Sequence, residues 1–238
     1  MKIRPLPEID LARLAPLPEP HQRKLLAQFR DGWPPISYRP LRSCLPDILN
    51  VQPELFEPVA ATEWSVVEAL VSKECRSEEE RVANLSAVRG LHQFALDNNL
   101  LGRAQMFFPM AMGVGQHVVY WLPLVLVLNG GAFVPFLDPR RSHGLTREGR
   151  RFVFSMMHER IRVVDPDFAS VQLAIIQFGN VDGDRRDPVI HTDDGVELYS
   201  HNELEKMVGK TYEIWREVYE ARETATRRDA SGRRRSLI

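Results

Sequence analysis

Val118 to Leu128 is a near-continuous run of β-prone apolar residues, and Asn129-Gly130-Gly131 separates it from a second run, Ala132 to Leu137. Asn and Gly accept the positive φ angles of a tight turn, so the pattern predicts a buried β-hairpin. A buried hairpin cannot stand alone in water, and the rest of the chain must supply what covers it.

The flanking segments carry helical periodicity. Thr62 is placed to cap a helix with Trp64, Val67, Leu70 and Val71 on one face. Ser77 and Glu80 make a capping box for a helix carrying Val82, Leu85, Val88, Leu91, Phe94 and Leu96. Thr146 starts a third, through Phe152, Met156 and Ile161, which Asp165-Pro166 stops before a strand over Val171 to Phe178. After a polar loop, Asn180 to Asp187, short strands are expected at Val189 to His191 and Val196 to Tyr199, around the turn Asp193-Asp194-Gly195. Ser200 with Glu203 then opens a helix bearing Leu204, Met207, Tyr212, Trp215 and Val218. Helices, hairpin, helix, strand, short hairpin and helix make an α+β domain, with a helical N-terminal half and a mostly antiparallel or mixed sheet flanked by helices.

Three regions follow from composition. Residues 1–60 are broken by Pro34-Pro35, Pro40, Pro46, Pro53 and Pro58 into extended pieces and short helices, one of them over His21 to Phe29. Residues 61–224 form the α+β body. Residues 225–238 hold Arg227, Arg228, Arg233, Arg234 and Arg235 among few apolar anchors, the composition of a disordered basic tail.

With 44% hydrophobic and 26% charged residues, the chain reads as an ordinary globular protein. Its net charge of −1 lacks the broad positive field of a non-specific nucleic-acid binder, so no direct nucleic-acid contact is expected. The longest apolar run is too short to cross a bilayer, and the N-terminus has no signal-peptide core; a soluble cytoplasmic protein with no membrane contact is expected. Cys44 and Cys75 have no metal-ligand spacing and suit a reducing compartment.

Catalytic patterns find little support. The order helix, hairpin, helix, strand is that of PD-(D/E)xK nucleases, and Asp138-Pro139-Arg140 imitates part of their signature. Asn98 through Leu137 contains no Asp or Glu, however, so the hairpin cannot supply the first metal-holding acid, and Arg140 is a poor substitute for lysine. At most this is a nuclease-like scaffold without its catalytic residues; Asp138 and Arg140 mark the alternative reading, a DNA-processing enzyme or its inactive relative. The histidines have no HExxH spacing, Asp182-Gly183-Asp184 reads as a turn, and no phosphate-cradling glycine motif occurs. Neither a cofactor nor a metal is expected, and the chain is read as a protein-binding molecule, not an enzyme.

The most informative segment is Gln52-Pro53-Glu54-Leu55-Phe56, which fits QxxLF, the short peptide by which bacterial replication and repair proteins dock on the sliding clamp. Its chemistry is anchor chemistry: the Gln52 amide hydrogen-bonds at a pocket rim while Leu55 and Phe56 fill an apolar cleft, and Pro53 holds the segment extended. With this motif near residue 50 and a non-enzymatic α+β body, the chain resembles the SocB family, the toxins of the SocAB toxin–antitoxin systems of alphaproteobacteria. The resemblance implies a toxin that occupies the DNA polymerase III sliding clamp (DnaN) and stalls replication. It implies as further partners a SocA-like adaptor antitoxin and the ClpXP protease to which that adaptor delivers the toxin.

Overall fold

A computed structural model describes residues 5–29, 36–53, 59–115 and 117–235, with side chains described up to 222 and at 224. The hairpin stands where expected: β5 (Leu124–Leu128) pairs antiparallel with β6 (Gly131–Leu137) across a turn in which Asn129 and Gly130 have φ of 50° and 78°. It lies near the middle of a six-stranded mixed sheet. β1 (Val51–Gln52) pairs parallel with β2 (Leu101–Ala104), which pairs antiparallel with β5. Beyond β6 come β7 (Gln172–Asp182), parallel to it, and β8 (Arg185–Thr192), antiparallel to β7. The edge-to-edge order is β1-β2-β5-β6-β7-β8. A separate two-stranded ribbon joins β3 (Met110–Ala111) to β4 (His117–Val118).

Successive residues of a strand point to opposite faces, and here each face meets its own apolar core. Val134 and Phe136 of β6, with Leu173 and Ile175 of β7, enter one cluster; Phe133 and Leu137, with Ala174 and Ile176, enter the other. The first cluster is completed by α1 (Glu8–Leu14), α2 (Glu19–Leu26), α7 (Arg147–Met157) and α8 (His201–Arg235). The second is completed by α3 (Arg39–Ser43), α4 (Leu45–Ile48), α5 (Trp64–Glu74) and α6 (Glu78–Asp97). The expected α+β fold with a mixed sheet between helices is therefore the observed one.

Local chemistry explains most boundaries. Thr146 Oγ1 accepts from the Gly149 N–H at 3.1 Å and opens α7, which continues as a π-helical turn over His158–Arg162. At α8, Ser200 and Glu203 bond reciprocally: the Ser200 N–H donates to Glu203 Oε2 at 2.8 Å and the Glu203 N–H to Ser200 Oγ at 3.4 Å. The box expected at α6 is only half formed. Ser77 Oγ accepts from the Glu80 N–H, but the Glu80 carboxylate instead accepts from the Ser37 and Arg76 backbones and the Arg76 side chain.

Other expectations need correction. Thr62 does not cap α5, which begins after Glu63; its hydroxyl donates to Asp47 Oδ1 at 3.3 Å. Val67 and Val71 are buried as expected, whereas Leu70 is exposed. α6 buries Ala83, Ala87, Val88 and Leu91 while Val82 and Leu96 face solvent, because its inward stripe uses small residues. Smallness is required at Gly90, where a Cβ would come within 1.9 Å of the Arg186 carbonyl oxygen of β8. The second hairpin is not around Asp193-Asp194-Gly195. It is β7–β8, turning at Gly183, and Val196 to Tyr199 belongs to no strand or helix. Among the described residues of 1–60 there are four short helices, of which α2 overlaps the one placed at His21 to Phe29, and the apolar face of α1 is buried. The backbone of α8 continues to Arg235.

Candidate protein-docking site

Gln52 ends β1 at the edge of the sheet, and α5 starts at Trp64, so the motif occupies the connection from the edge strand to that helix. Gln52 is buried, and its amide is fully engaged. Oε1 accepts from the Val59 N–H at 2.7 Å, and Nε2 donates to the Val59 carbonyl at 3.2 Å. Nε2 also reaches the Asn50 carbonyl at 3.2 Å and Asn50 Oδ1 at 2.5 Å. This amide-to-backbone pairing imitates one rung of a β-ladder and ties residue 52 to residue 59. Leu55 and Phe56 fall between them and lie outside the described residues.

Both ends of the connection are fixed. On one side, Asn50 has φ of 49°, and its carbonyl accepts from the Gly102 N–H at 3.1 Å, locking β1 to β2. On the other, the Thr62 carbonyl is bonded to His92 Nε2 of α6 at 2.8 Å. Trp64 packs on the His92 ring with centroids 5.8 Å apart, and Arg89 lies over the Trp64 indole at 5.2 Å. The neighbouring Val59 is 56% exposed. A segment held at its two ends, with an exposed apolar neighbour, is what a linear docking peptide needs to be presented by a folded body.

Asp138 and Arg140 are occupied by folding. The Asp138 carboxylate is buried and accepts from the Leu145 N–H at 2.6 Å, from Gln177 Nε2 at 2.9 Å and from the Arg140 N–H at 3.3 Å, pinning the turn between β6 and α7. Arg140 makes a bidentate pair with Asp10 of α1, at 2.5 and 2.9 Å. Among the described residues no group of three His, Cys, Asp or Glu side chains could hold a metal ion. Cys44 and Cys75 are free thiols whose pKa values burial pushes up, which keeps them poorly nucleophilic.

Sequence reading did not single out Met106 and Phe108, which stand 78% and 76% exposed between β2 and β3. The unbroken apolar stretch Met106-Phe107-Phe108 was the available signal; only Phe107 turns inward, edge-on to Phe168 at 5.2 Å. No helix among the described residues is long and apolar enough to cross a membrane.

Comparison with known proteins places this chain in a family. Residues 9–225 match the family described as sliding clamp-binding bacterial toxin SocB. The DNA replication inhibitor toxin SocB of Caulobacter vibrioides (strain NA1000 / CB15N) is 34% identical over 232 residues, 98% of this chain and 97% of that protein. No solved structure matches. The match runs through both cores and the edge strand that carries Gln52, so this chain belongs to the SocB family of sliding clamp-binding bacterial toxins.

Proposed function

We propose that this protein is a cytoplasmic toxin that inhibits DNA replication by occupying the sliding clamp, without catalysis of its own. Gln52, Leu55 and Phe56 are its clamp-binding anchors. One observation carries the assignment of these residues: the segment containing Leu55 and Phe56 is closed at its base by the Gln52–Val59 hydrogen bonds, at the exposed edge of a folded body. Leu55 and Phe56 fill the apolar cleft. The Gln52 amide, bonded internally in the free chain, exchanges Val59 for acceptors and donors at the cleft rim. With Gln52 released from Val59, the connection is still fixed at Asn50 and at Thr62, which limits the ordering entropy lost on docking.

In the same reading, a SocA-like adaptor antitoxin recognises the α+β body and delivers it to ClpXP. The affiliation with the SocB family supports that arrangement.

The test uses purified clamp and the full chain. Leu55→Ala/Phe56→Ala should keep the thermal transition of the wild type yet lose clamp capture and toxicity together. Retention of capture by this variant would mean that another surface makes the contact.

A further inference from the structure

A cavity of about 1000 Å3 opens between α1, α3 and the segment that follows β6. It lies on a seam, since α1 belongs to one apolar core and α3 to the other. Among the described residues five arginines line it: Arg13 from α1, Arg39 and Arg42 from α3, and Arg140 and Arg141. The carboxylates among its lining residues are Glu8 and Asp10. The chain as a whole holds 31 basic and 32 acidic residues, so this excess of positive charge is local and not a reflection of general basicity.

Three of these arginines are engaged within the fold, Arg13 also reaching His143 Nδ1 at 3.5 Å, and two are not. Asp10 is taken by Arg140 at 2.5 Å, with Arg13 at 3.7 Å, and Arg141 donates to Ser86 Oγ at 3.2 Å. Within the described residues the guanidiniums of Arg39 and Arg42 have no hydrogen-bond or ion-pair partner. The Nε–H of Arg13 is buried and bonded to nothing. Burial lowers the Arg13 pKa; Asp10 opposes that and Arg140 adds to it through like-charge repulsion. Arg39 and Arg42 are exposed, so their unused donors are open to an anion that enters the cavity.

Shape and chemistry narrow the anion. The site is concave and not a stripe along the surface, which suits a small molecule better than a nucleic-acid backbone. Planar guanidinium forks match phosphoryl oxygens. Leu14, Leu25, Phe29 and Ile36 give the same cavity an apolar wall. We infer that this cavity binds a phosphorylated small molecule, its phosphoryl group on Arg13, Arg39 and Arg42 and its organic part against Leu25 and Phe29. A ligand seated there bridges the two cores across their seam and stabilises the folded chain.

The probes are inorganic phosphate, adenosine monophosphate and adenosine, each titrated against the full chain by calorimetry and thermal unfolding. Adenosine monophosphate should bind saturably at millimolar concentration or below, raise the transition, and bind more tightly than phosphate. Adenosine should not bind. Arg39→Gln/Arg42→Gln should weaken binding of both anions by at least about tenfold, while its ligand-free transition stays the same or rises because like charges have been removed. No saturable binding of either anion would overturn the site, as would unchanged affinity in the double variant or equal binding of adenosine. Equal affinity for phosphate and adenosine monophosphate would overturn the role of the apolar wall.

Discussion

Gln52→Ala separates the two jobs that one amide is asked to do. In the free chain the substitution deletes the pair of bonds to Val59 and leaves that residue's N–H and C=O unmatched. Since Val59 is 56% exposed, water can replace part of what is lost. At about 0.5–1.5 kcal/mol per hydrogen bond, two bonds come to about 1–3 kcal/mol, which water at Val59 reduces to a destabilisation of about 1–2 kcal/mol. For a chain of this size that lowers the melting temperature by roughly 2–8 °C. Clamp affinity behaves differently. A peptide spanning residues 51–57 has no Val59 to release, so the alanine should weaken its binding by about tenfold, one charge-neutral hydrogen bond's worth. In the full chain the wild-type amide must first surrender its internal bonds, so the same substitution should change affinity by less than in the peptide. The assay is a set of four dissociation constants on purified clamp, for the peptide and the full chain, each as wild type and as Gln52→Ala. Loss of affinity in the chain with none in the peptide would refute docking through Gln52 and leave it as a stem residue alone.

Other outcomes follow from packing and charge. Gly90→Ala should destabilise the fold by about 1–3 kcal/mol or more, seen as a lowered denaturant midpoint, because the added carbon meets the β8 backbone and not a movable side chain. Asp138→Ala should cost about 1–3 kcal/mol in unfolding free energy, and neither it nor the wild type should cleave DNA with magnesium or manganese; metal-dependent cleavage lost in the variant would restore the nuclease reading. The Glu80 carboxyl is held down to about 2, chiefly by the Arg76 side chain, with the Arg76 and Ser37 N–H groups adding and burial opposing. Its folded pKa lies below its unfolded value, so its contribution is complete above about pH 5 and is lost as pH falls toward 2. Glu80→Gln should flatten the acid limb of the stability curve in that window, measured by urea unfolding at stepped pH.

The elements legible in the sequence were those specified by neighbouring residues. Asn129-Gly130 sets its own turn, and Thr146 and Ser200 cap the helices they precede, so those boundaries needed no knowledge of the rest of the chain. The features missed depend on distant partners. Thr62 has the chemistry of a cap but finds Asp47 first, and Val51–Gln52 is a strand only because β2 lies beside it. β8 was obscured by Arg185, Arg186, Asp187 and Pro188: an edge strand tolerates Arg185, Asp187 and Pro188, while Arg186 is buried with its guanidinium donating to the Gly179, Pro139 and Arg140 carbonyls. Val196, Leu198 and Tyr199 were read as a strand from their apolar alternation, yet they pack on the first core without a ladder partner. At the candidate docking site the motif was visible as a pattern of residue types, while the internal engagement of Gln52 was not, because Val59 follows it at a distance that no periodicity encodes.

The short connection that holds Leu55 and Phe56, fixed at Asn50 and at Thr62, also has a consequence for the proposed docking. A folded chain of this length has a radius of gyration of about 18 Å, hence a width of roughly 45 Å. A peptide on a long leash lets its owner drift away; one tied to the protein within a few residues at each end does not. Whatever surface receives Leu55 and Phe56 therefore receives an obstacle as well as an anchor, and a competing protein is kept off by bulk over an area far wider than the cleft itself.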